Sequence, residues 1–242
     1  MHTKKIESRI IPEETGRNLY MQHLKVYEFL GKRAGGKQIL EVGCGDGYGS
    51  AFLAKSAKSI IAVDYEEEVI LTAQNKYKAD NLEYLCMDAT RLEFKDNEFD
   101  IVCSFQVIEH IPENKLLTYL AELNRVLKPG GELYLSTLNL EKMMKDPCTY
   151  KKNPAHCKEF GIRDLDVILS TVFNDYVIYG LHPNLKHKFY LILKKSGVFK
   201  TLPSSLNPVE RFYKDLRTDD FKLNRTKLNK ATDFVCVCKK NA

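Results

Sequence analysis

Short apolar runs recur through the first half of the chain, each followed by a stretch of helical spacing. Residues 38–42 read as a buried strand ending in a glycine cluster, and residues 50–57 as the helix after it. A second strand covers 59–63 and closes on Asp64. Residues 66–77 have helical composition, with three glutamates in the first turn, where the helix dipole favours anions. Residues 82–86 and 99–104 are a third and a fourth strand. A helix over 112–127 has proline near its start and is stopped by Lys128-Pro129-Gly130-Gly131, after which 132–137 form a fifth strand. Apolar strands alternating with helices predict a doubly wound, Rossmann-like α/β fold, its mostly parallel sheet covered by helices on both faces.

The second half is less regular. Residues 142–159 are a polar, proline-containing loop, 162–170 a helix, 173–179 a strand rich in β-branched and aromatic residues, and 234–238 the last strand. The long segment between these two strands exceeds any hairpin turn, and its stretch 186–195 reads as a basic amphipathic helix. The resulting division is a helical segment at 1–36, an α/β core at 37–181 and 231–242, and a basic insertion of helical character at 182–230.

Charge sharpens that division. The chain of 242 residues carries +5, but residues 182–230 hold 12 Lys and Arg against 4 Asp and Glu, a balance of +8 that leaves −3 elsewhere. Hydrophobic residues at 44% and charged ones at 29% are ordinary for a globular protein. No apolar run approaches the ~20 residues of a membrane-spanning helix, and the first residues lack the apolar core of a secretory signal, so a cytoplasmic protein is expected. The seven cysteines contain no C-x-x-C pair and read as small buried hydrophobes, Cys86 and Cys103 in strands and Cys236 and Cys238 on one strand face.

The most informative stretch is Glu41-Val42-Gly43-Cys44-Gly45-Asp46-Gly47-Tyr48-Gly49, a glycine loop between a strand and a helix. It lacks the Gly-Lys-Ser/Thr ending of a phosphate-binding loop, and Tyr48 stands where the dinucleotide fingerprint needs its third glycine. Glu41 and Asp46 flank it with negative charge, which repels a pyrophosphate and attracts a ligand carrying a sulfonium and an ammonium, as S-adenosylmethionine does. Asp64, 21 residues past Gly43 at the end of the second strand, is placed to accept both hydroxyls of a ribose. Asp88, after the third strand, is placed to accept from an adenine amino group, with Ala89 offering a backbone N–H. Each aspartate alone also reads as a cap or turn residue; together they mark the sheet edge where open α/β folds bind ligands.

The run Ile39-Leu40-Glu41-Val42-Gly43-Cys44-Gly45-Asp46-Gly47 resembles the signature loop of class I S-adenosylmethionine-dependent methyltransferases of the type 11-like family. Val63-Asp64-Tyr65, Asp88-Ala89, Phe99-Asp100-Ile101-Val102 and Leu127-Lys128-Pro129-Gly130-Gly131 resemble its later motifs, in order, across residues 37–139. The resemblance implies a seven-stranded sheet with the last strand antiparallel, and S-adenosylmethionine as cofactor with S-adenosylhomocysteine as product. It implies Glu41, Gly43 and Gly45 near the methionine part, Asp64 at the ribose, Asp88 near the adenine and Gln106 lining the methyl-transfer site, with Cys44, Tyr65 and Ala89 beside them in the cofactor-binding set. Residues 1–36 would then cap the cofactor, His23 helping to close its site, and 182–230 would lie on the acceptor side.

Two histidines are candidates for the acceptor chemistry, where a base of near-neutral pKa helps an oxygen or nitrogen shed its proton. His110 follows the fourth strand and reads either as catalytic or as a helix-start residue shaping the pocket. His156, in Asn153-Pro154-Ala155-His156, reads as a base or an acceptor-orienting group. Some small-RNA and quinone-biosynthesis methyltransferases place a carboxylate three residues before a Glu-His pair, giving metal ligands; here that position is Gln106, so no metal is expected. The stretch Arg9 to Thr15 and the Asn-Pro-x-His loop resemble bacterial methyltransferases of glycan pathways, which favours O-methylation of a small molecule or glycan. The basic segment admits a solvated insertion, an anionic substrate or membrane headgroup, or nucleic acid, although no RNA-binding motif is present. The rivals are an RNA methyltransferase and a cofactor-binding protein without catalysis; oligomeric state is left open.

Overall fold

A computed structural model describes residues 9–144 and 148–241. The chain enters through helix α1 (Arg17–Gly31), then runs β1 (Gln38–Val42), α2 (Tyr48–Ala54), β2 (Ser59–Asp64), α3 (Glu67–Lys76), β3 (Leu82–Cys86), β4 (Phe99–Phe105), α4 (Leu116–Val126) and β5 (Leu127–Leu138). It continues through α5 (Leu140–Met143), α6 (Ile162–Ser170), β6 (Asp175–Pro183), α7 (Leu185–Ser196), α8 (Pro208–Lys214), β7 (Phe221–Asn224) and β8 (Asp233–Lys239). The strands form one sheet in the order β3-β2-β1-β4-β5-β8-β6-β7. β1 to β5 pair in parallel, and β8 pairs antiparallel with both β5 and β6. β6 therefore points the same way as β1 to β5.

The central strands are largely apolar because both their faces are covered. Successive side chains alternate, so Ile39, Ile101 and Cys103 join a core layer with Tyr27 and Leu30 of α1 and Leu53 of α2. Leu40, Val102 and Leu133 enter the opposite layer with Leu120 and Leu123 of α4 and Leu165 and Leu169 of α6. The chain winds from β1 outward to β3, then crosses to β4 on β1's other side. That reversal opens a crevice at the carboxyl ends of β1 and β4.

Three expectations change. The sheet has eight strands, not seven: β7 adds an edge, pairing antiparallel with β6 from Pro183↔Phe221 to Gly180↔Asn224. It lies inside the insertion expected to be helical, and four residues give too short an alternation to be read from sequence. β5 begins at Leu127, since Leu127 pairs with Phe99 and a register shift before Ile101 absorbs the Pro-Gly-Gly stretch. Cys86, at the end of edge strand β3, is exposed with Cys148 and Cys157, while Cys44, Cys103, Cys236 and Cys238 are buried. Among the described residues no helix is long and apolar enough to cross a membrane.

α1 is tied to two regions at once. Its Tyr27 reaches Glu41 under the glycine loop, while Arg17 Nε donates to Leu216 O at 2.7 Å and Glu28 accepts from Thr218 Oγ1.

Candidate active site

The turn after β1 sits at the crevice. Gly43 N and Cys44 N both donate to Val63 O, at 2.7 and 3.0 Å, which binds the turn to β2. Gly43 has φ +80°, and a Cβ there would lie 2.3 Å from Val107 Cγ2, just beyond β4. Only glycine suits both the left-handed backbone and that close approach. Cys44 turns its side chain into the core, so what it offers a ligand is backbone.

Glu41 lies beneath this turn, 1% exposed. Tyr27 Oη donates to its Oε1 at 2.6 Å and Ser50 Oγ to its Oε2, fastening α1 and α2 to β1. Burial pushes its carboxyl up to about 7, against the opposing hydrogen bonds from Ser50 and Tyr27. Asp64 accepts from Gly45 N at 3.0 Å and from Glu66 N at 3.3 Å, so it holds the turn as well as facing the crevice end of β2. Tyr65, next to it, is exposed. Asp46 is paired with Lys76 Nζ at 2.9 Å and accepts from Tyr77 Oη at 3.0 Å, while Lys76 also meets Glu13 at 2.7 Å. Of the negative fringe expected from Glu41 and Asp46, the Asp46 half is thus neutralised by Lys76. Asp88 is exposed and accepts from Thr90 N and Oγ1, both at 2.8 Å; the backbone bond is the main reason its carboxyl sits below the ordinary value. Ala89 beside it is partly buried.

At the end of β4, Gln106 takes φ +58°, a left-handed backbone in a non-glycine residue. Its N–H donates to Ser136 O at 2.9 Å and its Nε2 to Ser136 Oγ at 3.3 Å. Strain of this kind is kept where surrounding contacts over-determine it, often at a functional position. Gln106 lines a small enclosed recess with His23, Val26, Phe105, Ser136 and Asp233. Burial pulls His23 down to about 4 and pushes Asp233 up to about 7.

The acceptor-side candidates converge. His110 closes a 3-10 turn, Ile108–His110, and its Nδ1 lies 2.9 Å from Ala155 O. His156 Nδ1 lies 2.7 Å from Glu159 Oε1, and the two imidazoles meet edge to face with centroids 5.0 Å apart. The loop is pinned by Cys157 N and Lys158 N, which donate to Glu109 O at 2.7 and 3.2 Å. Burial works to raise the Glu159 carboxyl, but hydrogen bonds from Tyr150, His156 and Asn153 N outweigh it and hold it low. A carboxylate at Nδ1 assigns the histidine proton to that nitrogen and leaves Nε2 to accept, here from Asn153 Nδ2 at 3.2 Å. The sequence reading passed over Glu159, whose i,i+3 spacing from His156 was the available signal.

Glu109 is 1% exposed, accepts from Thr137 Oγ1 at 3.0 Å, and is pushed up to about 8 by burial. Glu109, His110 and His156 each offer a donor atom, all within 4.8 Å of one another. Two imidazoles and a carboxylate are ligands that suit a divalent transition metal. His156, from a distant loop, stands beside Glu109 and His110 as a third potential ligand where Gln106 offers no carboxylate.

Residues 40–135 match the methyltransferase domain family. A Mycolicibacterium smegmatis protein named a probable S-adenosylmethionine-dependent methyltransferase is 32% identical over 164 residues, 67% of this chain and 62% of that one. The chain thus spans about three fifths of the length of the first curated relatives it matches. The ubiquinone biosynthesis O-methyltransferase of Coxiella burnetii is 35% identical over 106 residues, 43% of this chain and 44% of that one. Among solved structures, an S-adenosylmethionine-dependent methyltransferase from Archaeoglobus fulgidus superposes with TM-score 0.64 at 19% identity, covering 93% of this chain and 94% of that one. The [4+2]-cyclase SpnF does so with TM-score 0.58 at 18% identity, covering 91% and 81%. A fold shared with a cyclase leaves the reaction to be argued from the site. The domain match and the curated relatives lead to one family: through the domain at 40–135 the chain belongs to the class I S-adenosylmethionine-dependent methyltransferases, whose cofactor is S-adenosylmethionine.

Proposed function

We propose that the chain transfers the methyl group of S-adenosylmethionine to an oxygen of a small metabolite or glycan and releases S-adenosylhomocysteine. The observation that carries this reading is the His156–Glu159 pair, 2.7 Å apart and packed against His110 beyond the end of β4. In this reading Gly43, Cys44 and Gly45 hold the methionine part over Glu41, and Gln106 lies beside the reacting methyl. Asp64 and Tyr65 take the ribose, and Asp88 and Ala89 the adenine. Residues 9–36 close the cofactor site, and the loop at 148–160 with the insertion at 182–230 forms the acceptor side.

Transfer from a sulfonium is a single in-line displacement. The acceptor oxygen's lone pair forms the new C–O bond, the C–S bond breaks, and its electron pair stays on sulfur. Positioning supplies much of the acceleration. The acceptor's hydroxyl takes the place of Asn153 Nδ2, 3.2 Å from His156 Nε2, its proton passes to that nitrogen, and Glu159 steadies the imidazolium that results. The O-methyltransferase named above supports oxygen as the acceptor atom. Buried thiols at Cys44, Cys103, Cys236 and Cys238 suit a cytoplasmic setting.

A second reading rests on the donor set. A divalent ion held by Glu109, His110 and His156 would supply Lewis-acid polarisation of the acceptor oxygen. Elemental analysis of the purified protein, with turnover before and after dialysis against a chelator, separates the two. A metal-free preparation that keeps its turnover leaves His156 as a base. Release of S-adenosylhomocysteine in the presence of phenolic, sugar and lipid-linked acceptors tests the reaction itself. Cofactor binding with no turnover on any acceptor would favour a cofactor-binding protein. Methylation of RNA alone, with binding that weakens steeply with salt, would favour the RNA reading.

A further inference from the structure

We infer that α7 and the loop after it form a docking surface for an anionic lipid bilayer. The inference stands apart from the identity of the methyl acceptor, because it rests on a surface and not on the reacting groups.

The amphipathic helix is oriented opposite to the ordinary arrangement. Its inner side is polar and aromatic: His187 is buried against Phe212, Tyr213 and Phe221, with ring centroids 5.0 to 5.6 Å away. Tyr190 stacks flat on Phe212 at 4.1 Å. On a helix of 100° per residue, Leu185, Phe189 and Ile192 then form one row on the side facing away from the protein. The row continues past the helix with Val198, Leu202 and Leu206; these six side chains are 40% to 79% exposed. A soluble helix buries such a row, so an outward one marks an interaction site.

The segment is well anchored. Asn184 caps α7 by accepting from His187 N at 2.8 Å, and Gly197 ends it in the left-handed conformation. Asn207 then closes the following loop, its Nδ2 donating to Phe199 O at 2.8 Å.

Charge chooses the occupant. Between Leu185 and Leu206 there are five lysines and no acidic residue. Lys188 and Lys195 flank the apolar row on one side, by the same angular reckoning, while Lys186 on the other turns toward Asp220 at 3.8 Å. Apolar side chains bordered by lysine describe a helix lying in the interface of an anionic membrane. Two copies of this face would repel each other through their lysines. The segment has no arginine, and its outward row is mostly aliphatic, which suits acyl chains better than stacked bases. Because β6 runs with β1 to β5, α7 leaves the same sheet edge that carries the glycine turn and Gln106. Docking would place that edge near the bilayer.

Sedimentation of the full chain with vesicles tests the inference. Vesicles of equal parts phosphatidylcholine and phosphatidylglycerol should pellet the protein, and phosphatidylcholine alone should not. Phe189→Ser with Ile192→Ser should weaken binding at least about tenfold. Lys188→Gln with Lys195→Gln should weaken it about fivefold per lysine, with a flatter salt dependence. Unchanged melting and cofactor affinity in both variants would show that the fold is intact. Failure to pellet on the anionic vesicles, or equal binding by the serine variant, would overturn the inference. So would a dimer that the serine substitutions split, which would make the face a contact between copies. Tight single-stranded RNA binding lost in the lysine variant and kept in the serine variant would assign the surface to nucleic acid.

Discussion

Asp64 does two things with one carboxylate. It accepts from Gly45 N, which shapes the turn, and the proposal adds the ribose hydroxyls. Asp64→Ala should cost about 1–3 kcal/mol of cofactor affinity by calorimetry, through the loss of charge-assisted hydrogen bonds. Unchanged affinity would remove the ribose from this position. His156→Ala should lower turnover and leave cofactor affinity nearly intact, since no contact to the turn passes through it; turnover equal to wild type would dismiss it as the base. Glu41 gives a pH signature. Its folded-state carboxyl is raised to about 7 from an ordinary 4.5, so its contribution to stability is present at low pH and fades as pH rises between those values. Relative to wild type, Glu41→Gln should therefore gain stability from pH 4.5 to 7, by up to about 3 kcal/mol, and level off above. Comparing the two proteins cancels the opposite trend from His23, which burial holds near 4. A pH-independent difference in urea denaturation would contradict the buried carboxyl.

At the scale of elements, the site depends on two strand ends meeting. β1 turns away at Gly43 and β4 at Gln106, and Val107 fills the space that a side chain on residue 43 would need. Gly43→Ala should destabilise the fold by at least about 1–2 kcal/mol from left-handed backbone alone, with more from the clash. Adding Val107→Ala should recover the clash and leave the backbone cost, as read by chemical denaturation; full recovery would mean that the positive φ costs nothing. The glycine turn was legible in the sequence because a strand, a turn and a helix are consecutive, and each has its own local pattern. The strand in the insertion was not. Phe221 to Asn224 is a strand because β6 offers an unpaired edge, and that edge is invisible in four residues of sequence.

Across the whole molecule, α1 is the common support. It reaches Glu41 through Tyr27 and residues 216–218 through Arg17 and Glu28. Cofactor binding should therefore slow amide exchange in α1 and around residues 216–221 together, although the second region does not touch the glycine turn. Protection confined to the turn would show that the two are uncoupled. The sequence by itself determined the alternation of strands and helices and the place of the turn, because periodicity and glycine spacing are properties of neighbours along the chain, and its motif runs carried the resemblance that implies the cofactor class. Only the tertiary structure paired Asp46 with Lys76, brought His156 and Glu159 to His110, and turned the apolar row of α7 outward. A helical period says that a helix has two faces; which one is covered is decided by what packs against it, here Phe212, Tyr213 and Phe221.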